Sequence, residues 1–207
     1  FPDDECLRLA RAQGGDAIPL AGAMLVIEVD GEEATLADAT EAVAHAARAD
    51  GLLELRIAAD ESEVAALWAA RKALSPALRT LSPNKINEDV VVPVSRVPEL
   101  VATTRALAAK HAIPIVCFGH AGNGNIHVNL LPRDDAERAR AEHALDELFD
   151  AVIRLDGTLS GEHGIGLAKR GFMSRALDPH ALGLMRAIKA QFDPDGILNP
   201  GKLLPDA

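Results

Sequence analysis

The sequence predicts an α+β fold in which a mostly antiparallel sheet is covered on one face by helices. Short apolar segments of strand length alternate along the chain with longer segments whose apolar residues recur at helical spacing. Two of the strand segments are joined by the letters AGNGN, a turn rich in glycine and asparagine that suits a β-hairpin. No GxGxxG or Walker-type loop follows a strand, so a nucleotide-binding half is not predicted within this chain.

The first part of the chain is predicted to alternate between strands and helices. Residues 1–20 are expected to form a connecting segment or a short helix. We expect strands at 23–30 and 52–59, and helices over 35–49 and 61–74. Ser75 and Pro76 are expected to end or to kink the second of these helices.

The rest of the chain contains the predicted hairpin and most of the helices. A strand is expected at 88–94, and Ser95 is the expected N-cap of a helix that runs to about residue 110. The hairpin strands are predicted at 113–120 and 126–131. A long helix over 134–155, a glycine-rich stretch at 157–166 and a C-terminal helical segment with helices near 169–177 and 179–192 complete the prediction.

Charge and composition exclude several classes of protein. The 207 residues include 21 Lys and Arg against 31 Asp and Glu, a net charge of −10, which argues against nucleic acid or an anionic membrane as the main partner. No apolar run approaches the ~18 residues that a membrane helix needs, and we expect no signal peptide, because the letters FPDDECLRLA lack a basic segment followed by an apolar one. The cysteine pair, Cys6 and Cys117, does not make a disulfide framework, so a reducing compartment is expected. Because the chain starts without Met, we expect it to be a fragment of a longer protein.

The first concentration of chemically versatile residues lies in the predicted hairpin, GHAGNGNIHVN. A strand period of two places His127 and Asn129 on one face, and the tight turn can bring His120 next to His127. Two imidazoles that converge in this way are a good start to a metal site. An equally weighted alternative is that one histidine caps the turn and the other is a core residue with its hydrogen bonds satisfied.

The second concentration is the glycine-rich stretch SGEHGIG, which contains Glu162 and His163. Its glycines allow the backbone to approach a ligand closely, and its carboxylate could complete a His/His/Glu set. Taken alone, the stretch is more easily read as a helix-capping loop with a solvated Glu-His pair. Both stretches are rich in glycine and together hold three of the seven histidines, which favours a common site.

The letters GHAGNGNIHVN, SGEHGIG and FDPDGILNPGK resemble the C-terminal substrate domain of FAD-linked oxidases. This family of flavin-dependent 2-hydroxy-acid dehydrogenases includes D-lactate dehydrogenases, glycolate oxidase subunits and D-2-hydroxyglutarate dehydrogenases. The resemblance spans nearly the whole chain, and KINEDVVVPVSR through HVNLL is most similar to bacterial D-lactate dehydrogenases. It implies a ferredoxin-like cap domain over residues 1–207, with an FAD-binding domain that would precede this chain.

The same resemblance implies a role for particular residues. The expected metal ligands are His120, His127 and Glu162, and the expected catalytic base is His163. The side chains expected to bind the substrate are Arg71, Asn129, Ser75 and Lys85. Those expected near the flavin or the domain seam are Asn125, Asn199 and Lys202.

The implied reaction is oxidation of a D-2-hydroxy acid to a 2-oxo acid, with a hydride passed to FAD. A divalent metal, Zn²⁺ or Mn²⁺ foremost, suits the two nitrogen ligands and one oxygen ligand. The family implies a quinone, a cytochrome or an electron-transfer flavoprotein as electron acceptor, and it allows a homodimer. We expect a cytoplasmic protein, with peripheral attachment to the inner face of the membrane as an option. This chain alone is expected to be inactive. The alternatives are a stand-alone metal-dependent hydrolase and a non-catalytic metal-binding module.

Overall fold

The structure is a computed structural model. It describes residues 1–12 and 18–205, except for the side chains of residues 70 and 73. Residues 13–17 of the predicted N-terminal segment therefore lie outside the described part. The chain divides into two compact units, Phe1–Thr80 and a second unit that begins at Leu81. Within the described residues, no helix is both long enough and apolar enough to cross a membrane.

The described residues of the first unit form three helices, α1 (Asp4–Ala12), α2 (Glu33–Ala47) and α3 (Glu61–Leu81), the last of which ends at the first residue of the second unit. The short-helix alternative for the N-terminal segment is confirmed by α1, whose start is capped by the Asp3 carboxylate accepting from the Cys6 amide at 2.8 Å. Helix α3 continues past Pro76, so an end at this proline was the wrong alternative. Leu74 and Leu78 are both buried, at 1% and 0% exposure, and their packing favours a continuous helix across Pro76.

The two strands predicted in the first unit are absent from the structure. Residues 24–30 and 52–59, all of them described, are in neither strand nor helix, and an isolated bridge pairs Ala23 with Asp3. The alternating apolar side chains remain exposed, Ile27 by 54% and Leu53 by 76%. Alternation indicates only that a segment could form a strand, because a strand also requires a pairing partner from elsewhere in the chain.

The second unit is built on a three-stranded antiparallel sheet. Its strands are β1 (Ile86–Val91), β2 (Ile115–His120) and β3 (Asn125–Leu130), and their spatial order is β1-β3-β2. The predicted hairpin is therefore confirmed, with β3 in the centre. Strand β1 spans residues 86–91 and not the expected 88–94. It ends early because Pro93 lacks the N–H that would continue the ladder.

Helices cover one face of this sheet, as predicted. Helix α4 (Val97–His111) packs on β2 and on α5 (Asp135–Arg154), and α5 also contacts β1. Ser95 was wrongly predicted as the N-cap of α4. It lies in a 3₁₀ turn over Val94–Arg96, and the N-cap is Arg96, which makes no side-chain capping bond. The early Pro98 suits the first turn of α4, where no amide donor is needed.

The C-terminal helical segment follows the glycine-rich loop. A 3₁₀ turn at Arg170–Phe172 leads into α6 (Met173–Ala176), and α7 (Pro179–Phe192) is capped by the Asp178 side chain. The structure is thus α+β, with an antiparallel sheet, covering helices and a helical C-terminal segment, which confirms the predicted class. The sheet also has a second, polar face, and the candidate site lies there.

Candidate active site

The central strand β3 presents one polar face and one apolar face. Ile126, Val128 and Leu130 alternate on the apolar face and are each 0% exposed. On the other face, the odd-numbered residues are polar. They are Asn125, His127 and Asn129. A run of polar side chains on a central strand is costly to bury without partners, so this face points to a binding function.

The hairpin brings the two predicted histidines together. His120 ends β2 and is followed by a 3₁₀ turn and by Gly124, which adopts φ +76°. A Cβ at Gly124 would lie 1.9 Å from the Val92 carbonyl oxygen, so both the turn and the space require glycine. The imidazole rings of His120 and His127 are 5.8 Å apart, centre to centre, at an interplanar angle of 75°.

The glycine-rich loop brings the other predicted pair to the same place. Glu162 Oε1 lies 3.2 Å from His127 Nε2 and 3.9 Å from His163 Nε2. The His163 ring is stacked on the His127 ring at 5.4 Å and 19°. The predicted convergence of the two sequence segments is therefore present in the structure, with His127 in the middle.

Burial determines the charge state of the central histidine. His127 is 7% exposed, and this desolvation lowers its pKa. Glu162 opposes the shift, while the neighbouring His163 and His120 reinforce it, so the neutral imidazole is favoured. The Nδ1 atom of His127 is buried and has no hydrogen-bond partner among the described residues. A neutral imidazole is the form that binds a metal ion.

The donor set fits a divalent cation. One ligand atom from each of His120, His127 and Glu162 lies within 4.8 Å of the other two. Two imidazole nitrogens and a carboxylate oxygen are the protein ligands of many catalytic zinc sites, which keep a further position for water or substrate. The His120 and Glu162 side chains are exposed, so the cluster is open on one side.

Sequence reasoning missed the residues that support this loop. Asp89 on β1 lies opposite His127 in the strand register, is 0% exposed and pairs with Lys169 at 2.5 Å. Burial favours its protonated form, but hydrogen bonds from Lys169 and from the amides of Glu162 and His163 outweigh this effect and lower its pKa. For the adjacent Glu88, burial outweighs Lys169, and the pKa is raised. The sequence signal for this support was the acidic pair Glu88 and Asp89, which directly precedes the apolar run VVV.

Two predicted substrate residues also meet in the second unit. Lys85, just before β1, donates from Nζ to Asn129 Oδ1 at 2.8 Å. Asn129 is fully buried and its Nδ2 donates to the His127 carbonyl at 3.2 Å. These two bonds fix the orientation of the Asn129 side-chain amide, and the Lys85 ammonium therefore lies at the polar face of β3.

Arg71 and Ser75 lie on α3 of the first unit and are both half-buried. Their spacing of four residues places them on the same side of that helix. Their binding roles stay predictions.

The residues predicted near the flavin occupy two different places. Asn125 is 5% exposed at the start of β3, on the polar face with His127. Asn199 and Lys202 are exposed and share a turn in the C-terminal tail, in which the Lys202 amide donates to the Asn199 carbonyl at 3.3 Å. The next residue, Leu203, donates to the Gly166 carbonyl at 3.1 Å and so ties the tail to the end of the glycine-rich loop.

The other histidines do not belong to this cluster. His45, His143 and His180 are exposed. The His111 side chain is only 12% exposed, and its Nε2 lies 3.1 Å from Glu147 Oε1. Cys117 is fully buried in β2 beside the Thr104 hydroxyl, as a packing residue.

The comparison with known protein families agrees with a fold of this class. Residues 1–203 match the family model "FAD linked oxidases, C-terminal domain". The chain belongs to this family, and the resemblance stated from its motifs is confirmed.

Several curated proteins are similar over most of the chain. It is 38% identical over 185 residues to glycolate oxidase subunit GlcD of Bacillus subtilis (strain 168), which covers 88% of this chain and 39% of that protein. It is 33% identical over 184 residues to the probable mitochondrial D-lactate dehydrogenase of Danio rerio, covering 87% of this chain and 37% of that protein. The D-2-hydroxyglutarate dehydrogenase of Xanthomonas citri pv. viticola (strain LMG 965 / NCPPB 2475 / ICMP 3867 / CFBP 7660) is 39% identical over 153 residues, covering 71% of this chain and 32% of that protein. The chain therefore spans at most about two fifths of these relatives.

A solved structure shares the fold. The 4-ethylphenol oxidase from Gulosibacter chungangensis, in its isoeugenol complex, superimposes with a TM-score of 0.57 at 22% identity, covering 85% of this chain and 38% of that one. At this level of identity the likeness concerns the fold alone.

Proposed function

We propose that this chain is the substrate-binding half of a flavin-dependent 2-hydroxy-acid dehydrogenase. The whole protein would oxidise a D-2-hydroxy acid to a 2-oxo acid. The hydroxyl proton goes to a base on this chain, and the α-hydrogen leaves with its electron pair as a hydride for FAD. A preceding FAD-binding domain, at the N-terminal side of residues 1–207, belongs to this proposal.

The convergence of four side chains on one sheet face supports the proposal most directly. His120, His127 and Glu162 come from two separate segments, and His163 is stacked against the central member of the set. Of the three classes considered from the sequence, membership in the FAD-linked oxidase family favours the dehydrogenase over a stand-alone hydrolase or a non-catalytic module.

The proposed roles follow from what each group can do chemically. His120, His127 and Glu162 would hold a divalent metal, Zn²⁺ or Mn²⁺ foremost, which acts when bound as a Lewis acid on the substrate hydroxyl and lowers its pKa. His163 would accept the hydroxyl proton at an imidazole nitrogen, since its side chain is 45% exposed and reaches the open side of the cluster. FAD, when bound, supplies the hydride acceptor.

The substrate carboxylate calls for cationic and amide groups. Lys85 and Asn129 form one such pair on the polar face of β3. Arg71 would contribute a planar guanidinium that can grip a carboxylate through two hydrogen bonds, with Ser75 one helical turn away. Asn125, Asn199 and Lys202 would lie toward the flavin or the domain seam. A quinone, a cytochrome or an electron-transfer flavoprotein would reoxidise the flavin.

A substrate screen on the full-length protein tests the proposal. The purified flavoprotein is mixed with an artificial electron-accepting dye and with glycolate or the separate enantiomers of lactate and 2-hydroxyglutarate. We expect dye reduction with glycolate or a D-enantiomer, and loss of activity after chelation that returns on addition of Zn²⁺ or Mn²⁺. If no 2-hydroxy acid reduces the flavin or the dye, the proposal is contradicted. Metal-dependent ester hydrolysis without flavin reduction would instead favour the hydrolase.

A further inference from the structure

Three consecutive backbone amides converge on one oxygen of Asp89. The amides of Gly161, Glu162 and His163 donate to Oδ2 at 3.0, 2.6 and 2.8 Å. Successive N–H groups that point inward form an anion-binding concavity. The segment that bears the proposed ligand Glu162 and the proposed base His163 is thus folded around a carboxylate that lies more than seventy residues earlier in the sequence.

The remaining contacts of Asp89 close the arrangement from the other side. Its Oδ1 accepts from Lys169 Nζ at 2.5 Å, and the Ser160 hydroxyl lies 3.2 Å from both carboxylate oxygens. Lys169 also donates to the Leu159 carbonyl at 2.7 Å and is itself 4% exposed. A buried carboxylate is stable only when paired and hydrogen-bonded, and both conditions are met here.

Asp89 also lies between the two halves of the site. It is the cross-strand neighbour of His127 on β3, and its Oδ1 is 3.6 Å from Nδ1 of His163. Gly161 allows this close approach, since a Cβ there would come within 2.6 Å of Asn125 Nδ2. One buried side chain therefore contacts the loop that bears two site residues and adjoins the strand that bears a third.

We propose that Asp89 is a positioning residue, which holds the backbone of residues 160–163 so that Glu162 and His163 face His127. The inference rests on the proposed function for the meaning of this geometry, but the fixing of the loop can be measured separately. Asp89 itself has no role in proton transfer or metal binding in this proposal. Its Oδ1 pairs with Lys169, a cation that it shares with Glu88, and its Oδ2 accepts from the three loop amides.

A second buried carboxylate in the same unit provides a matched control. Glu137 is 4% exposed, accepts from the Arg133 amide at 2.8 Å and pairs with the Arg133 side chain. It stabilises the start of α5 and has no part in the proposed site. A variant at Glu137 thus reports what the loss of a buried, hydrogen-bonded carboxylate does to stability alone.

The experiment compares Asp89→Ala, Asp89→Asn and Glu137→Gln in the full-length flavoprotein. Dissociation constants for Zn²⁺ and Mn²⁺ are measured by calorimetric titration, and amide hydrogen exchange over residues 159–166 is measured without added metal. Asp89→Ala should raise the dissociation constant by about 10- to 100-fold, the usual effect of removing a partner that orients a ligand. It should also speed exchange at residues 161–163. Glu137→Gln should lower the melting temperature without either change.

The asparagine variant separates positioning from the need for a charge. In Asp89→Asn, the amide oxygen can still accept from the loop, and the buried Lys169 ammonium keeps Glu88 Oε2 as a counter-charge at 3.2 Å and the Leu159 carbonyl as an acceptor at 2.7 Å. We therefore expect Asp89→Asn to retain more of the metal affinity and of the exchange protection than Asp89→Ala.

The possible outcomes divide clearly. Unchanged metal affinity in a folded Asp89→Ala variant, or an equal loss in Asp89→Asn and in Asp89→Ala, would overturn the positioning role. If the unaltered protein binds neither metal, the proposed function fails, yet the exchange measurement still decides the inference. Equal exchange at residues 161–163 in the unaltered protein and in Asp89→Ala would then reject it.

Discussion

The two halves of the candidate site are held in place by different means. His120 and His127 lie on adjacent strands, where the backbone ladder itself fixes their separation. Glu162 and His163 lie in a loop without regular structure, and their backbone amides donate to the side-chain carboxylate of Asp89. A strand-held group tolerates changes in neighbouring side chains, whereas a loop-held group depends on a few specific ones. We therefore expect the strand-held half of the site to tolerate substitutions nearby, whereas a single substitution at Asp89 should displace the loop-held half.

The largest expected effect concerns the loop-held half. His163→Gln in the full-length protein should lower kcat by about 10²- to 10⁴-fold, the usual contribution of a positioned base. Its metal content should remain, because His120, His127 and Glu162 still supply three ligands. Glu162→Gln should lose metal and activity together, since it removes the anionic ligand, and excess metal should restore part of both.

Metal stoichiometry measured beside kcat checks this division of roles. If His163→Gln loses the metal while Glu162→Gln keeps it, the two roles are exchanged. If neither substitution changes kcat, the loop has only a structural function. The exposed His143→Gln on α5 serves as a control for the loss of one imidazole and should leave metal content and kcat unchanged.

A smaller effect is expected in the strand-held half, and it requires a change to the backbone. Gly124→Ala places a methyl group 1.9 Å from the Val92 carbonyl oxygen at a residue with φ +76°. The strained backbone alone should cost about 1–3 kcal/mol of unfolding free energy, and the clash should add to it. Gly122→Ala is the matched control, because nothing lies within 4 Å of its added Cβ. Urea unfolding of both variants checks the difference, and equal midpoints would show that the turn tolerates rearrangement.

The strand-held half was the part of the site that the sequence predicted best. A period of two and a short glycine-rich turn are local signals, and they sufficed to place His127 and Asn129 on one face and His120 nearby. Glu162 and His163 were assigned through a family resemblance, since no local pattern indicates where an irregular loop will lie. Asp89 was missed because its partners are distant in sequence. The same limit explains the wrong strands predicted at 23–30 and 52–59, which have no pairing partner among the described residues apart from the isolated Ala23–Asp3 bridge.

The next effect tests the first unit. Arg71→Lys in the full-length protein should raise KM for the 2-hydroxy acid roughly tenfold, about what the loss of one charge-assisted hydrogen bond costs. The change in kcat should be smaller, because the substrate carboxylate is bound equally in the ground and transition states. Steady-state kinetics with the best substrate of the screen provide the measurement, and Arg48→Lys at the exposed end of α2 is the control. An unchanged KM would place Arg71 outside the site.

The smallest effect contrasts Asp89 with a carboxylate whose partners are local in sequence. The side-chain and backbone hydrogen bonds of Arg133 lower the pKa of Glu137 from 4.5 to about 2. A carboxylate whose pKa is lower in the folded state stabilises that state fully above pH 4.5, and the contribution is lost as pH falls toward 2. Glu137→Gln should therefore lower the urea midpoint at pH 6 and flatten its decline between pH 4.5 and 2. The exposed Glu142→Gln controls for the loss of one negative charge. If the urea midpoint declined with pH as steeply in Glu137→Gln as in the unaltered protein, the lowered pKa of Glu137 would not be the source of this pH dependence.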